Sequence, residues 1–154
     1  MGLIQLSFTN AVADLISPYS KAHLNKERLE LDDGDFIDIV TTDIEDKPIV
    51  IILHGLEGSL ASPYVKPLIK QLNESGYGVC FVHFRGCSEE LNRLPRSYHS
   101  GDTQDLASVI TYLENKYAQG IFAVIGFSLG GNVVLKWLGE QSEKSIIGQP
   151  NACK

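Results

Sequence analysis

Two short segments of the 154-residue chain carry residue types and spacings that can do chemistry. The first is Gly126-Phe-Ser128-Leu-Gly130-Gly131, a G-x-S-x-G pattern. Where such a pattern joins a strand to a helix, the turn forces the serine into a strained backbone conformation, and its close neighbours must lack side chains, hence Gly126 and Gly130. The hydroxyl is then pushed out above the C-terminal edge of the sheet. The helix N-terminus beneath it offers unpaired N–H groups and positive potential to a developing oxyanion, and the Leu129 N–H is the first candidate donor. That chemistry is nucleophilic attack by Ser128 on an acyl carbon. A phosphate loop needs Gly-Lys-Ser/Thr and a dinucleotide fingerprint needs G-x-G-x-x-G; the segment is neither.

The second segment is His54-Gly55-Leu56-Glu57-Gly58, at the end of an apolar run. In hydrolases built around a nucleophile elbow, the loop after such a strand supplies a second oxyanion N–H, and Leu56 is the candidate. His54 reads as a histidine that fixes this loop rather than as a base, because a base must also reach the nucleophile. His99 is the upstream histidine that could in principle approach Ser128, although a loop-bracing role for Arg85, His99 and Asp102 is the plainer expectation. A nucleophilic Cys87/His99 pair is weaker still, with no elbow to present the sulfur.

The elements that must position these residues follow from the hydropathy pattern. Leu29 to Val40 alternates apolar and polar residues on both sides of Asp33-Gly34, which predicts a hairpin with a tight turn. Ile49–Leu53, Val79–Phe84 and Ile121–Ile125 are continuous apolar runs, as expected of strands buried on both faces. Ser62-Pro63 predicts a helix start, with Ser62 as cap, and Val65, Leu68, Ile69 and Leu72 share its inner face. Asp102 or Thr103 is expected to cap a second helix with Leu106, Val109, Ile110, Leu113 and Tyr117 inward. A third helix is expected from Leu129 to about Gly139, carrying Val133, Val134, Trp137 and Leu138. The order, a hairpin and then β-α-β-α-β-α, predicts an α/β fold with a mostly parallel sheet and helices on both faces. Residues 1–25 read as an N-terminal extension, 26–140 as the partial catalytic domain, and 141–154 as an atypical tail, past the point where the apolar pattern stops, whose end from Gly148 to Lys154 resembles neither strand nor helix.

Composition narrows the function classes. Apolar residues make up 44% and charged residues 21%, an ordinary globular balance. The net charge of −6 disfavours a generic nucleic-acid grip and electrostatic docking to anionic lipid. Cys80, Cys87 and Cys153 show no metal-ligand spacing and read as reduced thiols of a cytoplasmic protein. Asp14 interrupts the apolar N-terminus, so neither a secretory signal nor a membrane span is expected, and Leu6 stands where a myristoylation motif at Gly2 needs Ser or Thr. No metal or organic cofactor is implied.

Taken in order, His54-Gly-Leu-Glu-Gly-Ser59, Ser62-Pro-Tyr64, His83-Phe-Arg-Gly-Cys-Ser88, Asn92-Arg93, Tyr98-His-Ser-Gly101 and Gly126-Phe-Ser-Leu-Gly-Gly-Asn132 closely resemble the YheT-like α/β-hydrolases, a family of esterases. The opening hairpin, Glu27-Arg-Leu-Glu-Leu31 with Asp33-Gly-Asp-Phe36, is similar too. The resemblance runs from about Lys26 to Glu140. It implies the N-terminal half of an α/β-hydrolase fold, Ser128 as nucleophile, and Leu129 and Leu56 at the oxyanion positions. It implies an ester substrate, either an acyl lipid or a small ester.

The chain departs from the family pattern twice. Glu89-Glu90 stands where Gly-Glu is usual. The family triad runs Ser, Asp, His in chain order, and no Asp or His follows Ser128. Glu140 lies about 18 Å along the same helix and cannot substitute. A truncated, nearly inactive hydrolase is therefore expected, since a complete triad contributes about a million-fold. The alternative is a noncatalytic remnant acting as a binding module. Without a later strand beside it, Ile121–Ile125 is expected to form an apolar sheet edge prone to self-association.

Overall fold

The computed structural model describes residues 24–147, with side chains described as far as Ser142. The readings made on Gly2, Asp14, Cys153 and the tail beyond Ile147 lie outside that range.

The strands are β1 (Asn25–Glu30), β2 (Phe36–Thr41), β3 (Ile49–Leu53), β4 (Gly78–Val82) and β5 (Ile121–Gly126). The helices are α1 (Val65–Glu74), α2 (Gln104–Lys116) and α3 (Leu129–Ile147). They form one sheet in the order β1-β2-β4-β3-β5. β1 and β2 run antiparallel to each other, β2 runs antiparallel to β4, and β4, β3 and β5 are parallel. This is the α/β arrangement the apolar runs predict.

The period of two explains the layers. Ile49, Ile51 and Leu53 of β3 pack with Leu106, Val109 and Leu113 of α2 and Val133 of α3. Ile52 of the same strand faces Val65 and Ile69 of α1. The apolar run is continuous because the strand has no wet face.

Four local expectations need correction. The hairpin forms, but its loop spans residues 31–35, because Glu30 pairs with Phe36. Two bonds shape the loop, from Leu31 N–H to Asp35 C=O at 2.8 Å and from Gly34 N–H to Leu31 C=O at 2.9 Å. Helix α1 begins at Val65, not at Pro63. The Ser62 hydroxyl is engaged earlier, accepting the Ser59 N–H at 3.1 Å, so it closes a turn rather than capping the helix. Neither Asp102 nor Thr103 caps α2 through its side chain, although Thr103 occupies the cap position. Asp102 accepts two bonds from Arg96 and the Thr103 hydroxyl donates to Glu140 at 2.7 Å.

The last correction concerns the tail. Helix α3 passes through Gly139 and continues to Ile147, so residues 141–147 are helical. A mid-helix glycine costs only about 1 kcal/mol. Leucine, Glu, Gln and Lys around it favour helix, and the Lys136–Glu140 pair at 2.7 Å lies at the supportive i,i+4 spacing.

The family departure at Glu89-Glu90 has a structural role. Glu89 pairs with Lys26 at 2.6 Å and Glu90 with Arg28 at 2.7 Å, tying the loop after β4 to the first strand.

Candidate active site

Ser128 sits between β5 and α3 with φ 51°, in the left-handed region, and its side chain is exposed. The glycines around it are required by close backbone approach. A Cβ on Gly126 would lie 2.4 Å from the Gly130 carbonyl oxygen. A Cβ on Gly130 would lie 2.6 Å from the His54 carbonyl oxygen and 2.8 Å from that of Leu53. The first turn of α3 thus rests directly on the end of β3. Phe127 N–H bonds Leu53 C=O at 3.0 Å and extends the strand pairing to the elbow.

The second segment meets the first. A Cβ on Gly55 would stand 3.3 Å from Ser128 Cβ, so the loop after β3 lies against the serine. Residues 55–58 form a turn closed by Gly58 N–H to Gly55 C=O at 3.1 Å. The Ser128 carbonyl accepts from Gly131 at 3.0 Å and Asn132 at 3.3 Å. Among the described residues neither Leu56 N–H nor Leu129 N–H donates a hydrogen bond. Leu129 opens a nineteen-residue helix, where unpaired N–H groups and the dipole both favour negative charge.

The histidines divide by their bonds. His54 is fully buried. Its Nδ1 donates to Gly55 C=O at 2.6 Å and its Nε2 accepts Phe84 N–H at 3.1 Å. Both nitrogens are engaged in a neutral tautomer, and burial holds the ring's pKa below its usual value. His54 therefore clamps two loops and has no nitrogen left for Ser128. His83 is likewise pushed down by burial, and its Nδ1 bonds Cys87 C=O at 3.1 Å. His99 is exposed, and its Nδ1 accepts Gly101 N–H at 3.1 Å within its own turn.

Of the three residues expected to brace the loop, Arg85 and Asp102 do so, with Arg85 at the centre, while His99 bonds only within its own turn. The buried guanidinium bonds Asp105 at 2.8 and 2.7 Å, Asp33 at 2.8 Å and Asp35 at 3.2 Å. Asp102 pairs instead with Arg96. Asn92 and the Arg93 N–H complete the bonding of Asp35 at 2.9 and 3.0 Å. The spacing of these residues could not reveal the cluster, because its bonded partners lie 20 to 58 positions apart. Cys87 lies beside Tyr98, and burial raises its pKa, which makes it a poor nucleophile. A cleft of about 1090 Å³ elsewhere is lined by Lys26, Ser59, Leu60, Lys66, His83 and Cys87 among others; Ser128 is not part of its wall.

An exposed left-handed serine at a strand-to-helix elbow, with a glycine loop packed on it, is the constellation of one fold family, and residues 48–148 match the family model described as the alpha/beta hydrolase fold. The chain belongs to that family. It is 42% identical over 112 residues to YheT of Escherichia coli K12, a protein whose esterase assignment is provisional; the match covers 70% of this chain and 33% of YheT. It is 31% identical over 102 residues to the monoacylglycerol lipase of Saccharomyces cerevisiae, covering 66% and 23%. The esterase Pf2001 of Pyrococcus furiosus superposes with a TM-score of 0.67 at 24% identity over 93% of this chain and 55% of that one. The chain spans a third or less of the length of these two sequence relatives. Their names are those of ester-cleaving enzymes and give the noncatalytic alternative no support. Among the described residues no helix is long and apolar enough to cross a membrane, and no group of three or more His, Cys, Asp or Glu is placed to hold a metal ion.

Proposed function

We propose that this chain carries the nucleophile and oxyanion half of a serine carboxylic-ester hydrolase. The observation that carries the reading is Ser128 at φ 51°, exposed on the N-terminus of α3 with the Gly55 loop against it. Ser128 Oγ loses its proton to a base and bonds the ester carbonyl carbon. The carbonyl oxygen becomes an oxyanion, received by the Leu129 and Leu56 N–H groups. The C–O bond to the alcohol then breaks, the alcohol leaves with a proton, and water hydrolyses acyl-Ser128. The substrate is an acyl lipid or a small ester, and the route needs no metal or organic cofactor.

The base is the missing part. No His or Asp follows Ser128. His54 and His83 are tied to backbone and kept neutral by burial. These 154 residues alone are therefore a slow catalyst, lacking about the million-fold of a complete triad while keeping oxyanion donors. We place the chain in the cytoplasm, a reading supported by the free Cys80 and Cys87.

Added imidazole supplies the missing base from solution. A fluorophosphonate should label Ser128 slowly, and faster with rising imidazole, with no labelling above background in Ser128→Ala. Equal labelling of both proteins at every imidazole concentration would rule the hydrolase reading out.

A further inference from the structure

The turn that presents Leu56 is held by a side chain from a distant loop. Its third residue, Glu57, has φ 50°. That position of a β-turn takes glycine when the backbone is left-handed, because a Cβ is strained there. A glutamate persists in it only where the surroundings hold the peptide in place. The hold is visible: Glu57 N–H donates to Tyr98 Oη at 2.8 Å. Below the turn lies the His54 ring, so close that a Cβ on Gly58 would come within 2.8 Å of His54 Cβ.

Tyr98 is itself immobilised. Its ring stacks on Phe84 at 5.1 Å and 3°. The Phe84 N–H is the donor to His54 Nε2, so the same residue serves both supports of the turn, through its ring and through its main chain. The loop carrying Tyr98 is fixed by Arg85 and Arg96 to the hairpin, and by Lys136 of α3, which donates to Gly101 C=O at 2.8 Å. Tyr98 Oη accepts from Glu57, and Cys87 lies beside the same hydroxyl.

We propose that Tyr98 is a positioning residue for the oxyanion donor: by accepting the Glu57 N–H, its hydroxyl holds the Gly55–Gly58 turn in the form that leaves the Leu56 N–H free for the oxyanion. This rests on the ester-hydrolase reading of Ser128 and Leu56. Tyr98 touches no reacting atom and acts through the turn. The sequence hides the link, since residues 57 and 98 are 41 positions apart.

Tyr98→Phe removes one oxygen and keeps the ring stack. Amide hydrogen exchange on the 154-residue chain reads the turn whether or not the chain is active. Exchange at Glu57 and Gly58 should quicken at least about tenfold in Tyr98→Phe, with the β3 and β4 amides unchanged. Imidazole-assisted phosphonate labelling of Ser128 should fall by about tenfold, below the loss seen when an oxyanion donor is itself deleted. Cys87→Ala, which leaves the Tyr98 hydroxyl and its bond to Glu57 in place, should match the wild type in both measurements. Unchanged exchange at residues 57 and 58 overturns the proposal. So does wild-type labelling above Ser128→Ala together with equal labelling of Tyr98→Phe. Wild-type labelling no faster than Ser128→Ala refutes the hydrolase reading itself and removes the oxyanion role with it; the exchange data then still show whether Tyr98 holds the turn.

Discussion

Strands β3 and β5 are neighbours with similar apolar sequences, yet they live in different environments. All five residues of β3 are buried, with strands on both sides and helices on both faces. Among the described residues β5 has one strand partner, every one of its residues keeps some exposure, and Phe122 is 65% exposed. The pairing also breaks there: Ile49 pairs with Ile121 but Val50 with Ala123, leaving Phe122 as an extra residue in a bulge. Phe122 turns outward onto Tyr77 with ring centroids 5.0 Å apart. The far side of the sheet is settled differently again, by charge. There Arg85, Arg93, Arg96 and five acidic residues tie the hairpin to the loop after β4. The candidate site lies on the seam, with Ser128 supplied by the open strand and the Gly55 turn by the closed one. Burial and pairing, not sequence character, separate a rigid strand from an exposed one.

The contrast can be broken most forcefully on the charged side. Arg85→Met leaves Asp35 and Asp105 buried without their cation, and should cost about 3–5 kcal/mol in urea unfolding. A loss under about 1 kcal/mol would mean that the cluster merely decorates the loop.

The strands themselves give the next test. Ile51→Ala should cost about 2–5 kcal/mol, because its wholly buried site cannot collapse. Phe122→Ala, though it deletes a larger group, should cost at most about 1 kcal/mol, since it loses one ring contact at an exposed position. Equal losses would show that β5 is as enclosed as β3.

Acid should act on the closed side first. Burial depresses the pKa of His54 and His83, so the unfolded chain takes up their protons at higher pH than the folded one. Stability should be flat from pH 8 to 7 and fall below about pH 6.5. Asp33, Asp35 and Asp38 are also held low, by bonds to Arg85, Asn92 and Arg28 that outweigh their burial. Their stabilisation is present above about pH 3.9 and is lost below it, so a second decline follows in the same direction. Urea midpoints across pH 3 to 8 check both steps, and a midpoint that rises with acid contradicts the assignment.

The smallest effect on stability belongs to the open edge. Phe122→Lys should move the midpoint by no more than about 0.5 kcal/mol while reducing self-association in static light scattering. An unchanged scattering mass would place any self-association elsewhere.

Periodicity was enough to find every strand and helix among residues 24–147, because each element buries one stripe or both faces. It misjudged the ends. Ser62, Asp102 and Thr103 are good caps by type, but other partners took their side chains: the nearby Ser59 N–H and Arg96 for the first two, and Glu140 of α3 for the third. Gly139 looked like a stop, but the residues after it favour helix.

The strand-to-helix elbow at Ser128 was legible for a local reason. Ser128, Gly126 and Gly130 are neighbours in sequence, and the strain of the turn is written in the glycines themselves. The Leu56 turn was legible for the same reason. The sequence by itself thus determined the elements, the elbow and the family. The tertiary structure alone decided that His54 spends both nitrogens on backbone, that Arg85 gathers acids from two segments, and that Tyr98 grips Glu57. Apart from the bond of His54 to its neighbour Gly55, those bonds join residues tens of positions apart, and local spacing carries no signal for a contact that exists only once the sheet has brought its loops together.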